Sequence, residues 1–525
     1  MTKENLRSNG LLLLLLVLFI VAKWPHLHYP FFWDESWSYA PGVRLMYNHG
    51  PSLMPNAIDI FYSRGHPLFF YASASAFLHL VGGYSYFNAH LFALFITLCL
   101  LITVYVVMLR TAGRAAGLVA VAALMLHVGF FVQATFVMPE MLVALFSLLS
   151  ISAFAARKWV LAGTALTLLL LTKESGIVAG FVLGMAALAM LLNKQSARRE
   201  KGFTMLSVAV PALITAAFFL LQKQLLGWYL YPEHTGLISF EWGTFFGKFQ
   251  QSLNYLLAAE VPRYLLYATF GAVLIAALRT RKPQMLLPLF PLGMAYLTGR
   301  QKLDFLLPTK LQFGVLTLVL AGSLLFYIWK VAAPAGKKRW VILLTTFCYG
   351  YLCFCSINFF TLRYLLAAMV PLTMGLVMLL VGALEGIHQQ AIWVAPLVIA
   401  VGGFLMFKND AGIGDMNLQA YNAMHVQEAT VRFLEGQKWY QKRIGTSSFQ
   451  DAEHLRKPYT GFLHTPEVFK DVSWTIDSLT EVIIFNNIEQ DKRMQEVLAD
   501  SSYQRVYRVQ NRDVWAEIWA REVRH

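Results

Sequence analysis

The sequence predicts a polytopic α-helical membrane protein with about 13 transmembrane helices, followed by a C-terminal soluble α/β domain. Of its 525 residues, 57% are hydrophobic and only 14% are charged, and the mean hydropathy is +0.54, which is too apolar for a soluble chain of this length. Beyond residue 407 the sequence becomes charged and mixed. We therefore predict a transmembrane domain over 1–407, with outward loops at 24–85 and 224–262, and an α/β domain over 408–525.

The first apolar segment runs from Asn9 to Trp24 and follows the basic residues Lys3 and Arg7. No small-residue cleavage site follows it, so we interpret it as a retained transmembrane helix and not as a signal peptide. Further apolar stretches, some shorter than the roughly 20 residues that cross a bilayer, begin near Tyr86, Ala115, Met141, Trp159, Ile177, Phe203, Arg263, Met285, Pro308, Trp340, Arg363 and Ala391.

The distribution of basic residues predicts the orientation. With a cytoplasmic N-terminus, the short loops assigned to the inside carry most of the Lys and Arg residues that precede the tail. The formal charge of +14 is thus explained by topology, and we predict no nucleic-acid partner. The four cysteines lie in or beside apolar segments without metal-ligand spacing and are predicted to be packing residues. We expect a bacterial inner-membrane protein with its C-terminal domain in the periplasm.

The tail alternates two kinds of pattern. Residues 442–449 and 481–487 are typical of strands, and residues 420–436 and 491–502 are typical of amphipathic helices. Residues 503–522 predict a hairpin that turns at the sequence QNRD. Because an odd number of spans precedes it, this domain is predicted to lie outside the cytoplasm.

An acidic pair follows the first apolar segment. In the stretch FFWDESWSYAPG, Asp34 and Glu35 are adjacent, near the predicted membrane interface. Two carboxylates there must be solvated, be paired with a cation or take part in a reaction. Because adjacent carboxylates repel each other, the pKa of one tends to rise, which suits a general base. The alternative is that the pair caps a short interfacial helix, since acidic residues favour helix N-termini. These residues alone leave both interpretations open.

Further ionisable residues are predicted on the same outward face, and such a cluster is a candidate substrate site. They are Arg64, His66, Glu140, Lys173, Glu174, Arg300, Lys302 and Arg363. Several have a structural alternative. Lys173 is adjacent to Glu174 and can simply pair with it, or snorkel to the interface as Arg300 can. Glu140 follows a proline, as residues in a first helical turn often do, and a lone histidine such as His66 is commonly structural.

The order and sidedness of these motifs resemble the GT-C superfamily of membrane glycosyltransferases. The resemblance is greatest to the branch that holds the protein O-mannosyltransferases and the lipid A aminoarabinose transferase, and it covers essentially the whole chain. The motifs that carry it are the outward acidic pair, the HPLFFY helix start at 66–71, PE at 139–140, TKESG at 172–176, LRYLLAAMVPL at 362–372, the thirteen spans and the trailing α/β domain.

The resemblance implies transfer of a hexosyl or pentosyl group from a polyprenyl-phosphate carrier to an acceptor on the non-cytoplasmic face, with inversion. It makes Asp34 the general base, Glu35 its catalytic partner and Arg363 the ligand of the lipid phosphate. His66 differs from the lysine often found before this proline in the aminoarabinose branch, so the sugar is not identified. The implied partners are the lipid-linked donor, membrane lipids and a lipid, glycan or protein acceptor.

The sequence contains no Gly-rich phosphate loop, dinucleotide fingerprint or Ser-His-Asp arrangement, as expected for a lipid-linked donor. No metal-ligand spacing is evident, and we predict that no cofactor is required; a divalent cation is an unsupported alternative. Two other functions remain open. A flippase for a lipid-linked saccharide would carry polar groups near mid-membrane and helix breaks in matching halves. A glycan-binding scaffold without catalytic activity would tolerate the loss of Asp34.

Overall fold

The structure is a computed structural model that describes residues 3–194, 197–331, 333–388, 394–446, 448–474, 476–489 and 502–521. In these ranges the chain forms a large helical domain followed by a small domain with one sheet. The helices of the first domain are α1 Lys3–Lys23, α2 Ala40–His49, α3 Ile60–Ser63, α4 Phe69–Leu80, α5 Tyr86–Thr111, α6 Arg114–Met125, α7 Val128–Gln133, α8 Glu140–Ala155, α9 Trp159–Leu170, α10 Ile177–Leu192, α11 Arg198–Leu226, α12 Pro232–Gly236, α13 Trp242–Ala258, α14 Glu260–Thr280, α15 Leu289–Gly299, α16 Thr309–Lys330, α17 Ala335–Ile357, α18 Leu366–Ile387 and α19 Val394–Asn409.

The polytopic helical architecture is confirmed. Eight segments in the described ranges are long and apolar enough to cross a membrane, and they include α1, α5, α10, α11, α14, α16, α17 and α18. Five shorter apolar helices accompany them, namely α4, α6, α8, α9 and α19. Every predicted span coincides with one of these helices except the span expected near Met285. That segment is a 3₁₀ turn, Pro283–Leu286, followed by α15.

Proline explains the shortened segment. Pro283, Pro288 and Pro291 lie before or in the first turn of α15, and proline both removes a backbone donor and disfavours helix in the residue before it. The eleven residues of α15 rise about 16 Å, roughly half the thickness of the hydrocarbon core. The prediction of a membrane span that begins near Met285 was therefore wrong.

The two ends of α8 lie on opposite faces of the helical domain. At its last residue, the carbonyl of Ala155 accepts a hydrogen bond from Arg339 Nε at 3.1 Å, and nearby Arg157 Nη1 lies 2.7 Å from Glu200 Oε1. Loops that the sequence assigns to the cytoplasm therefore meet at this end. The first residue, Glu140, lies at the other end, where the small domain packs; we call this the sheet-side face.

The small domain carries a five-stranded mixed sheet in the order β2-β1-β3-β5-β4. Strands β1 and β2, and β1 and β3, run parallel, whereas β5 is antiparallel to both β3 and β4. Its elements are α20 Gln419–Gly436, β1 Arg443–Thr446, α21 Phe449–Arg456, β2 Asp471–Ser473, β3 Val482–Asn486, β4 Tyr503–Asn511 and β5 Val514–Arg521. The strand predicted at 481–487, the helix at 420–436 and the hairpin are confirmed. The strand predicted at 442–449 is confirmed over Arg443–Thr446, whereas Phe449 begins α21. The helix predicted at 491–502 lies outside the described residues, apart from Ser502.

The small domain packs directly on the chain between α1 and α2. The amide of Phe31 donates to the carbonyl of Thr460 at 2.9 Å, and Lys23 Nζ at the end of α1 donates to the Tyr421 hydroxyl at 2.7 Å. Phe31 is fully buried. The segment that carries the acidic pair is thus held between the two domains.

Candidate active site

A strained turn sets the directions of the two adjacent acids. Trp33 has φ 57, a left-handed conformation that is uncommon for a bulky residue and occurs mainly where surrounding contacts enforce it. Its amide donates to Gln450 Oε1 at 3.1 Å, and its carbonyl accepts from the amide of Ser36 at 2.9 Å. A π-helical turn, Glu35–Tyr39, follows. As a result, the side chains of Asp34 and Glu35 enter different environments.

Glu35 is completely buried and fully engaged. Its Oε1 accepts from the amide of Val137 at 2.7 Å and lies 3.0 Å from His90 Nε2, while Oε2 accepts from the amide of Phe32 at 3.2 Å. These contacts connect the acidic loop to α5 and to the segment before α8. Glu35 therefore anchors the loop and so fixes the position of Asp34. Its assignment as a catalytic partner stays a prediction.

Asp34 faces a partly open space. Its Oδ1 accepts from Trp37 Nε1 at 3.0 Å, and its Oδ2 forms an ion pair with Arg363 Nη2. The Asp34 side chain is 26% exposed, whereas that of Arg363 is 3% exposed. Of the two acids, Asp34 is therefore the one that a substrate can reach.

Arg363, in the 3₁₀ turn Leu362–Leu365 before α18, faces three carboxylates. Besides Asp34, its Nη1 pairs with Asp415, and its Nε lies 3.5 Å from Glu140 Oε1. Asp415 lies between α19 and α20 and was not among the predicted site residues. Burial raises the pKa of the Asp415 carboxyl, although the charge of Arg363 opposes this shift. Three carboxylates thus hold the guanidinium in a buried position.

A second buried cation completes this group. Lys173 Nζ lies 2.7 Å from Glu140 Oε1 and 4.0 Å from the centre of the Tyr364 ring. Lys173 thus reaches across to α8, while Glu174, beside it in sequence, pairs elsewhere. We call these five side chains the ionic cluster: Asp34, Glu140, Lys173, Arg363 and Asp415. When all are ionised, the cluster carries one excess negative charge.

The remaining predicted residues divide into two sets. His66 Nδ1 lies 2.7 Å from Glu174 Oε2, and the Arg64 guanidinium lies 5.3 Å from the centre of the Trp37 ring. Through Trp37, which donates to Asp34, this set borders the ionic cluster. Arg300 and Lys302 are exposed beyond the end of α15, and none of the described contacts joins them to the cluster.

Sequence reasoning missed Asp415 because no local pattern marks it. It lies 52 positions from Arg363, and only the docking of the small domain brings the two together. Gln450 was missed for the same reason. Among the described residues, no group of three or more His, Cys, Asp and Glu side chains is arranged to hold a metal ion.

A large apolar cavity of about 600 Å³ lies within the helical domain. Helices α13 to α18 line it, and along α18 it extends from Ala368 to Ala383, a helix length of about 22 Å. Ala368 is only five positions beyond Arg363. The cavity therefore runs from the neighbourhood of the buried cations along most of a membrane-spanning helix.

The structure thus combines a helical domain, an acidic loop and a sheet domain that is docked on this loop. No protein-family profile and no curated protein sequence matches the chain. Among solved structures, ArnT from Cupriavidus metallidurans bound to undecaprenyl phosphate aligns with a TM-score of 0.50 at 15% identity, covering 97% of this chain and 98% of that protein. This likeness shows a shared fold over almost the whole length, and the fold class predicted from the sequence is confirmed.

Two weaker alignments accompany it. The apo state of the same ArnT gives a TM-score of 0.42 at 16% identity and covers 96% of this chain and 97% of that one. The arabinofuranosyltransferase AftD from Mycobacteria gives a TM-score of 0.40 at 13% identity and covers 100% of this chain but 40% of AftD.

Proposed function

We propose that this protein is a membrane glycosyltransferase that moves a monosaccharide from a polyprenyl-phosphate carrier to an acceptor at the sheet-side face. The observation that carries the proposal is the ion pair between the partly exposed carboxylate of Asp34 and the buried Arg363, with a second buried cation, Lys173, joined to the same cluster through Glu140. The fold shared with an ArnT bound to undecaprenyl phosphate supports a lipid-linked donor. In this proposal the sheet-side face is the non-cytoplasmic face of a bacterial inner membrane.

The donor phosphate binds at Arg363. Because all parts of this guanidinium face carboxylates, an incoming phosphate displaces at least one of them, and Asp415 is the one whose raised pKa makes it the easiest to neutralise. Lys173 adds a second positive charge. The polyprenyl chain extends into the apolar cavity, whose lining is suited to a hydrocarbon chain.

Asp34 then acts as the general base. As the acceptor nucleophile attacks the anomeric carbon, its proton passes to the Asp34 carboxylate and the bond between that carbon and the phosphate oxygen breaks. The electron pair of this bond stays on the phosphate, which is already a stable anion, so no strong general acid is needed. Arg363 and Lys173 stabilise the phosphate. In-line attack inverts the sugar centre.

The set beside Trp37 is proposed to contact the sugar. His66, Glu174 and Arg64 border the ionic cluster on the side of α4 and the loop around α12. Burial and the neighbouring His66 lower the pKa of His234 in that loop to about 3, so it is neutral at physiological pH. This set thus offers hydrogen-bonding groups for sugar hydroxyls. The proposal assigns no step to a metal ion or cofactor.

Transfer of radiolabelled sugar tests the proposal. Membranes that contain the wild type are incubated with a panel of polyprenyl-phosphate monosaccharides and compared with Asp34→Asn and with Asp471→Asn, an exposed acid on β2. We expect one donor to label an acceptor with the wild type and with Asp471→Asn only. Equal transfer by Asp34→Asn would refute the assignment of the base. If the folded protein bound lipid but used no donor, the flippase or scaffold function would replace the transferase.

A further inference from the structure

A second cavity, of about 730 Å³, lies where the two domains meet. Its walls come from the chain after α1, from α2, from the start of α5, from the C-terminal half of the small domain's α20 and from the segment after α21. Both domains are needed to form it. Its volume is in the range of about 300–1,000 Å³ that is usual for ligand clefts. No step of the proposed reaction uses it.

Aromatic and polar side chains dominate the lining. Four tyrosines contribute rings or hydroxyl groups: Tyr29, Tyr84, Tyr86 and Tyr459. Among the described residues that line it, Leu463 is the one aliphatic side chain other than proline, so the cleft differs sharply from the apolar cavity beside α18. Such a lining does not suit a hydrocarbon chain. It suits a saccharide, because the C–H faces of sugar rings pack on aromatic rings while hydroxyl groups bond to polar atoms.

One cation of the cleft is available to an anionic ligand. Arg432 and His464 both contact Glu428, at 2.6 Å and 3.2 Å. Arg44, by contrast, is exposed and lies over the Tyr459 ring, 5.1 Å from its centre, and no carboxylate among the described residues lies within ion-pair distance of it. A guanidinium presented on an aromatic face is well placed for a carboxylate or phosphate group.

The cleft lies close to the catalytic loop. Tyr29 and Pro30 line it, and Asp34 follows only four residues beyond Pro30. Four residues of fully extended chain span at most about 14 Å, which sets the upper limit on the separation of the Pro30 and Asp34 backbones. This separation is within the length of a short oligosaccharide.

We propose that this cleft binds the non-reacting part of an acidic oligosaccharide acceptor. The tyrosines pack on its sugar rings and Arg44 binds its anionic group, so that its end is presented to Asp34. The inference rests on the proposed transferase function and deepens it, since it assigns the acceptor to the class of carbohydrates that bear a carboxylate or phosphate.

Direct binding is the first test. The full chain in lipid nanodiscs is probed by saturation-transfer difference NMR with tetragalacturonate, which is acidic, and with maltotetraose, which is neutral. Tyr86 is 39% exposed and Arg44 is exposed, so Tyr86→Ala and Arg44→Gln should fold.

We expect a saturation-transfer signal from the acidic probe with the wild type and with the exposed-lysine control Lys470→Gln. In both cleft variants this signal should be reduced at least about fivefold. Absence of wild-type binding, or equal binding by Tyr86→Ala, would overturn the site; equal binding of both probes would overturn its acidic specificity.

Kinetics test the acceptor role. With the donor found in the transfer assay and membrane extracts as acceptor, Tyr86→Ala and Arg44→Gln should raise the acceptor KM about tenfold or more, while kcat and donor affinity stay unchanged. An unchanged KM, with probe binding lost, would overturn the acceptor role. If the wild type bound the acidic probe but transferred no sugar, the transferase function would fail while the saccharide site remained.

Discussion

Arg363 contacts carboxylates from three separate parts of the chain: the acidic loop, the start of α8 and the linker before α20. A buried guanidinium that lost such partners would be strongly destabilising, so the carboxylates keep the empty site stable. Of these carboxylates, Asp415 is the one that competes with a phosphate, since its raised pKa makes it the easiest to neutralise. At the residue scale, donor binding is thus an exchange of anions at one cation.

This exchange predicts a pH dependence. The pKa of Asp415 is raised above its ordinary value of 3.8, so below the raised pKa the carboxyl is neutral and releases Arg363, whereas above it the carboxylate competes. We expect wild-type affinity for undecaprenyl phosphate to match that of Asp415→Asn at low pH and to fall about tenfold or more below it as pH rises.

Calorimetric titrations of both proteins from about pH 3.5, below the ordinary pKa of an aspartate, to pH 8 measure this ratio, and the variant corrects for the titration of the phosphate itself. A ratio that stayed constant across the range would contradict the exchange.

At the scale of elements, the small domain positions the catalytic loop. The left-handed backbone conformation of Trp33 costs about 1–3 kcal/mol of folding free energy. Gln450 from α21 accepts a hydrogen bond from the amide of Trp33. Gln450 is itself buried and bonds to Glu489 Oε1 at 3.3 Å. A turn enforced in this way holds Asp34 in place from outside the helical domain.

We therefore expect Gln450→Ala to lower kcat about 10- to 100-fold, because small displacements of a reacting group are costly, while donor affinity is unchanged. Single-turnover transfer and lipid titration separate the two quantities. Gln450→Glu combined with Glu489→Gln should recover most of the rate, since it restores both hydrogen bonds, and Gln437→Ala on the exposed end of α20 should have no effect. If Gln450→Ala lowered donor affinity as much as kcat, the substitution would have disturbed the fold of the whole site instead of the position of Asp34.

The apolar cavity gives a prediction for α18. Gly375 lines the cavity, and a Cβ atom there would meet open space, so Gly375→Phe should fill the cavity without disturbing the helix packing. We expect about tenfold weaker binding of undecaprenyl phosphate and less than twofold change for geranyl phosphate, whose short chain does not need the whole cavity. The control is Gly322→Phe, at an exposed position of α16 outside the cavity. Equal losses for both lipids would place the polyprenyl chain elsewhere.

At the scale of the whole molecule, the sequence was most informative where a physical rule acts locally. Bilayer thickness requires long apolar helices, so the positions of the spans could be predicted, and proline explains the exception near Met285. The burial of Glu35 depends on contacts with α5 and the segment before α8, and the contact between Arg363 and Asp415 depends on docking of the small domain. No periodicity in the sequence encodes such long-range pairing.

Membrane orientation follows from the same account. The native cysteines are buried or half-buried, so a new surface cysteine can be labelled selectively. We expect Lys470→Cys in the small domain to react with a membrane-impermeant maleimide in intact cells, and Lys194→Cys, after α10, to react only once the membrane is opened. Labelling in the opposite order would invert the proposed topology.

The most direct test of the central claim separates donor binding from transfer in Asp34→Asn. With the active donor identified, undecaprenyl phosphate affinity and single-turnover sugar transfer are measured on the same purified protein. If Asp34 is the general base, affinity should stay within about threefold of the wild type while transfer falls about 10²- to 10⁴-fold. Transfer at the wild-type rate with a bound donor would contradict the account, because the one exposed carboxylate of the ionic cluster would then have no part in the chemistry.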